Sequence, residues 1–254
     1  MTCILSTGFL ILGLTLPAHA QLSPPLFELP APTGKLPIGT TRWVVTDASR
    51  DETFAPGRKR DVEVVAWYPR TDGTGDTAPY VRDSMEEVLS FARLAKLGEA
   101  FNRLASVSTH AIIDAEPPRT PARVPVIVFQ HGYTGLPSSH TALMEDLASH
   151  GWAVLNLIHP CEATGARLAD GSIVTFTDEK NAMRAGIMDV LGEWTAEGPL
   201  RERGAYGKLD AVRAAGITRT VMREFFAQEI LKQPSALLSG KQPMTGVTVV
   251  QVKQ

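Results

Sequence analysis

The apolar and polar positions of this chain fall into short blocks whose spacing changes from strand-like to helix-like and back. Thr41-Arg42-Trp43-Val44-Val45-Thr46 is a β-prone run stopped by Asp47, and a polar stretch over residues 48–60 follows it. Val62-Glu63-Val64-Val65-Ala66-Trp67-Tyr68 is a second such run, ended by Pro69, which has no amide hydrogen to continue a ladder. Together they predict a hairpin with a long charged connection. Residues 72–79 form a Gly/Thr/Asp loop. Asp83 and Glu86 then make a capping box, and Met85, Val88, Leu89 and Ala92 share a stripe, which predicts a helix over residues 84–105.

The centre is the most regular part. Residues 124–129 are a largely apolar run of strand length, His131-Gly132-Tyr133-Thr134-Gly135 is a Gly-bounded turn, and residues 138–149 carry Leu143 and Leu147 at i, i+4. Gly151 ends that helix, and residues 152–158 make a second buried strand. Strand, loop, helix, strand is a βαβ unit, which implies a right-handed crossover and a mostly parallel sheet. Beyond it come a polar hairpin at Ala169-Asp170-Gly171-Ser172 and a helix over 181–195 with Met183, Ile187, Leu191 and Trp194 in register. A further helix over 209–232 carries Val212, Val221, Phe225 and Ile230, and residues 247–252 predict one more strand.

The N-terminal apolar run reads as an address. Residues 3–16 are nearly all apolar or small, Pro17 breaks the run, and Ala18-His19-Ala20 is the small-x-small pattern that a signal peptidase cuts. The expected organisation is a signal peptide over residues 1–20, a Pro-rich extended arm over 21–40, and a partial α/β domain over 41–254, with a secreted or periplasmic product. Of the two cysteines, Cys3 leaves with the leader, and Cys161 alone cannot form an internal disulfide.

Composition narrows the function classes. In 254 residues, Lys+Arg 25 against Asp+Glu 27 gives a net charge of -2, so no global positive field draws the chain to nucleic acid. No apolar run reaches the roughly 18 residues that span a bilayer. The six histidines, His19, His110, His131, His140, His150 and His159, show no zinc-ligand spacing, and no strand is followed by a Walker or GxGxxG loop. Cys161 lies two residues from His159 with no third group to orient a base, which makes it a structural thiol.

The informative feature is His131-Gly132-Tyr133, directly after a buried strand and before a helix. In α/β ester hydrolases the loop at this place gives one backbone N–H to the oxyanion of the tetrahedral intermediate, and a glycine lets the peptide plane turn toward it. The alternative is a plain strand-to-helix turn.

Several further segments bear on the choice. Leu29-Pro30-Ala31-Pro32-Thr33-Gly34, Gly39-Thr40, Thr46-Asp47 with Arg50, and Trp67-Tyr68-Pro69 come first. Pro125-Val126-Ile127-Val128-Phe129-Gln130-His131-Gly132, Asp146-Leu147-Ala148-Ser149-His150-Gly151, and His159-Pro160 with Glu162-Ala163 follow. In this order, over residues 29–163, the chain resembles the platelet-activating-factor acetylhydrolase family of α/β-hydrolases. The resemblance implies an α/β-hydrolase-like sheet with flanking helices and an exported serine esterase. Its substrate would be a small-molecule short-acyl or phospholipid ester, with no metal or organic cofactor; the short apolar runs add the expectation of no stable membrane span. By position it gives the oxyanion N–H to Tyr133, with His131 and Gly132 supporting the motif.

The sequence also departs from the family pattern. No GxSxG nucleophile elbow occurs in it and no histidine follows His159, whereas the triad of this class runs serine, acid, histidine. Ser138, Ser139 and Ser235 lack the flanking glycines and are expected to be caps or surface residues. Three readings stay open: an esterase sheet incomplete at its C-terminal side, a non-catalytic ester- or lipid-binding relative, and a truncated gene product without activity. An incomplete sheet is expected to leave an exposed parallel edge.

Overall fold

The structure is a computed structural model that describes residues 27–71, 73–82, 99–120, 123–132, 135–176, 210–242 and 244–245. The first two strands, β1 (Ile38–Asp51) and β2 (Lys59–Pro69), form the expected hairpin, with Ile38 opposite Pro69 and Thr46 opposite Asp61. Both run further than the apolar pattern predicts. β1 begins inside the arm assigned to 21–40 and continues through residues expected to be loop, because polar cross-strand contacts carry the ladder where apolar ones stop. Thr46 donates to Asp61 at 2.5 Å, and Lys59 pairs with Asp51 at 2.8 Å beyond an irregularity in the register.

Two short strands escape the sequence pattern. β3 (Thr77–Pro79) lies within the stretch expected to be a loop, and β4 (Ser108–Ile113) pairs antiparallel with β3 and parallel with β1. The helix expected over 84–105 falls mostly outside the described residues. Its described end, Glu99–Ser106, is a 3-10 helix, and the Val107 N–H closes onto the Leu104 carbonyl with the tighter spacing of that form.

The central βαβ unit is β5 (Val126–Gln130), α1 (Thr141–Ser149) and β6 (Ala153–Ile158). The helix expected from residue 138 is divided: Pro137–His140 is a 3-10 turn, and the α-helical spacing starts at Thr141. The Ser138 carbonyl accepts from both the N–H and the hydroxyl of Thr141, which holds that first turn tight. β7 (Ala166–Arg167) and β8 (Ile173–Val174) make the predicted hairpin, and Gly171 at its turn has φ of 84°. The helix expected over 209–232 is α2 (Ala211–Glu229), capped by the Asp210 side chain, which accepts from the Arg213 N–H. The segments 181–195 and 247–252 lie outside the described residues.

The strands form a six-stranded sheet in the order β3-β4-β1-β2-β6-β5. Three of its pairings are antiparallel and two parallel, so the sheet expected to be mostly parallel is mixed over the described residues. One face carries Ile38, Val65, Trp67, Ile127, Val154 and Ile158, and α1 packs Leu143, Met144, Leu147 and Ala148 against it. Every residue of α1 is buried. Its apolar stripe therefore contributes on the order of 1.5–3 kcal/mol per large side chain, the usual gain for full burial. Among the described residues β5 pairs with β6 alone, and on its other face Val126 and Val128 stand 51% and 60% exposed.

Candidate functional site

The carboxyl ends of adjacent parallel strands are where α/β sheets present their chemistry. β5 and β6 run parallel with Gln130 opposite Leu157, so His131 and His159 leave the sheet side by side. Their ring centroids are 6.2 Å apart, and the His159 N–H donates to His131 Nε2 at 3.4 Å. Gly132 has φ of 77°, a left-handed conformation that a side chain disfavours. The Gly135 N–H returns to the Gly132 carbonyl at 3.1 Å, and a Cβ on Gly135 would run into the His131 carbonyl oxygen. Both glycines are thus set by the tightness of the turn. Tyr133, to which the resemblance gives the oxyanion N–H, lies outside the described residues.

The far end of this loop is anchored from two sides. The Gly135 carbonyl accepts from the Thr164 N–H at 3.2 Å and from its hydroxyl at 3.4 Å. The Pro137 carbonyl accepts from Asn156 Nδ2 on β6 at 3.0 Å. Thr164 belongs to a strap after β6, whose first turn closes when the Glu162 and Ala163 N–H groups donate to the His159 carbonyl. Cys161 sits in that turn at φ of 63°, buried, and burial pushes its thiol pKa up, away from the thiolate a nucleophile needs.

A charged cluster behind the strap was not visible in the sequence pattern. Arg60 on β2 meets both carboxylate oxygens of Glu52 at 3.1 and 3.0 Å, Glu162 at 2.9 Å and His159 Nδ1 at 3.4 Å. Glu52 and Arg60 lie in the stretch expected to be a solvated connection. The only signal for them was Glu162 in a segment already singled out.

The candidate serines divide as their surroundings dictate. Ser139 is buried and its hydroxyl lies 3.0 Å from His140 Nδ1, but burial holds the His140 pKa down at about 4. A base that weak takes up few protons at neutral pH, and a buried hydroxyl meets no substrate. The Ser235 hydroxyl is buried and accepts from the Leu238 N–H at 3.1 Å, closing a turn over residues 236–240 rather than capping a helix. Among the described residues no group of three or more His, Cys, Asp or Glu side chains is arranged to hold a metal ion.

Burial also holds the His131 pKa at about 4. Both histidines are neutral in the native state and ionise more readily in the unfolded chain, near the ordinary value of about 6.5. The stability they contribute is therefore complete above about pH 6.5 and lost as pH falls through about 4. Full loss at one such site is worth about 3 kcal/mol. Denaturant midpoints are expected to decline between pH 6.5 and 4, and His131→Gln to flatten that decline; an identical slope in the variant rejects the assignment.

Against this geometry, residues 26–175 match the family model of platelet-activating factor acetylhydrolase, isoform II. The chain belongs to this family. The match takes in β1 to β8, the His131-Gly132 turn and the strap, and ends before α2. As a member of the acetylhydrolase family, the chain has an α/β-hydrolase-like sheet with flanking helices. It is also similar to a solved ferulic acid esterase from Streptomyces cinnamoneus, with 34% identity and a TM-score of 0.49, over 59% of this chain and 41% of that one. The chain thus spans less than half the length of that esterase. No curated protein matches it.

Proposed function

We propose that this acetylhydrolase-family chain carries the ester-binding front of a serine carboxylic-ester hydrolase for short-acyl or phospholipid esters, and that it lacks the triad needed for turnover. The observation that carries the reading is the family match over residues 26–175, which includes the turn after β5. In a complete enzyme of this class, a serine attacks the ester carbonyl and the developing oxyanion is held by backbone N–H groups. Here Tyr133 is the donor proposed, with Gly132 and Gly135 turning the chain and Thr164 and Asn156 holding it against the sheet. His131, neutral with a pKa of about 4, is a support for this loop rather than a proton shuttle.

The 254-residue sequence contains no GxSxG and no histidine after His159. An oxyanion donor without nucleophile and base retains little of a triad's rate, because the triad acts as a unit. Purified chain is expected to show no hydrolysis of p-nitrophenyl acetate that a serine-reactive fluorophosphonate blocks. Inhibitor-sensitive turnover overturns the proposed loss of the triad, and failure to bind any short-acyl or lipid ester overturns the ester-binding part.

The reading includes export, supported by the apolar run over residues 3–16 and by Ala18-His19-Ala20. Protein recovered outside the cytoplasm is expected to begin at Gln21; an intact Met1 there rejects cleavage.

A further inference from the structure

β2 and β6 carry, on the face covered by α1, two polar groups that the apolar core does not explain. Val65 stands opposite Asn156 and Trp67 opposite Val154, so Trp67 and Asn156 are diagonal neighbours on one face. They are 4% and 2% exposed. A backbone carbonyl only accepts, so the Asn156 atom that meets the Pro137 oxygen is Nδ2, and Oδ1 is the atom left over. That Oδ1, the Trp67 Nε1–H and the Ser138 hydroxyl are all buried and find no hydrogen-bond partner among the described residues. Their three residues line one cavity, with about 40 Å³ open to the centres of water molecules.

The donor set is specific. Indole nitrogen only donates, the amide oxygen only accepts, and the hydroxyl does either. Glu63 and Arg82 also line the cavity, with Arg82 5.5 Å over the Trp67 ring and donating to Thr40, and Glu63 accepting from the Arg167 N–H. Both charges are already engaged. An anion would face the Asn156 oxygen and the Glu63 carboxylate, and a cation would face the indole N–H and Arg82. A neutral molecule with lone pairs and O–H groups satisfies all three orphaned atoms at once.

We propose that this cavity is a built water-binding site that ties the Pro137-Ser138 segment to β2 and β6. One water accepts from Trp67 Nε1–H and donates to Asn156 Oδ1, and the Ser138 hydroxyl joins the same cluster. The space exceeds the roughly 10–15 Å³ that the centre of one water requires. The inference rests on the lining of this cavity and stands or falls independently of the esterase reading.

Two measurements test it. A crystal structure at about 1.8 Å or better is expected to show ordered water within hydrogen-bond distance of at least two of the three atoms; an empty cavity, or one filled by a side chain, overturns the proposal. Ser138→Ala removes the hydroxyl and leaves the carbonyl that Thr141 uses. It is expected to lower Tm by about 2–4 °C, the shift for one lost buried hydrogen bond in a domain of this size. If the hydroxyl is unpartnered, its removal leaves Tm unchanged or raises it, and that result overturns the proposal.

Discussion

Replacing Arg60 with alanine is expected to lower Tm by about 10 °C, from a loss of about 3–5 kcal/mol that follows when one partner of a buried ion pair is removed. The magnitude comes from what stays behind. Glu52 keeps a carboxylate whose side chain is 4% exposed, and it loses both of its contacts to the guanidinium. Glu162 loses its 2.9 Å partner at the same moment, and with it the strap after β6 loses its tie to β2. Arg60→Lys keeps the charge but gives up the fork that meets two carboxylates, so about half of the loss is expected to remain. The paired change Arg60→Met with Glu52→Leu is expected to be milder than Arg60→Ala, because the carboxylate left behind is then only the less buried Glu162 and no longer Glu52 as well. Thermal melts of the three variants decide the matter. A drop of less than about 2 °C for Arg60→Ala would place this cluster among the surface pairs that contribute little.

This cluster also shows where sequence and structure part. β2, β5 and β6 are legible as largely apolar, β-prone runs of strand length; in β6 the burial then alternates, with Val154, Asn156 and Ile158 buried and Ala153, Leu155 and Leu157 less so. α1 is legible from Leu143 and Leu147 and its end from Gly151, whose φ of 98° suits only glycine well. The extension of β1 through Asp51 was hidden, since a charged stretch ordinarily reads as solvated, and only the fold reveals that Glu52 and Arg60 close on each other. β4 was hidden because Thr109 and Ala111 are its buried residues, too small to mark a face. The turn at His131-Gly132 was legible as a turn. Its anchoring by Thr164 and Asn156 was not, because those partners lie 29 and 19 residues away from the carbonyls they meet. Long-range pairing of a polar side chain with a backbone group leaves no periodic trace.

The second large effect concerns the segment before β1. Thr33 brings both its N–H and its hydroxyl to the fully buried Asp146 on α1, at 2.8 and 2.7 Å, and Arg223 on α2 approaches the same carboxylate at 3.7 Å. One position on, the Gly34 N–H donates to the Ser149 hydroxyl at 2.9 Å, and the Leu36 N–H takes the Ser149 carbonyl at 3.1 Å, one of those a helix end leaves open. The approach is so close that a Cβ on Gly34 would collide with the Ser149 carbonyl and hydroxyl oxygens. Backbone cannot yield as a side-chain tip can, so Gly34→Ala must lift the segment off α1. Asp146→Ala removes the acceptor instead and leaves the Thr33 N–H without its carboxylate. Each is expected to cost about 3 kcal/mol, or about 6–12 °C in Tm. Because both act on one latch, the double variant is expected to cost clearly less than the sum, a coupling that independent sites do not show. Limited proteolysis supplies the local readout, with cleavage within residues 27–37 expected to accelerate in either single variant. Additive losses, or a segment as protected as in the parent chain, would mean that Asp146 and Gly34 serve α1 separately and that no latch joins the arm to the helix.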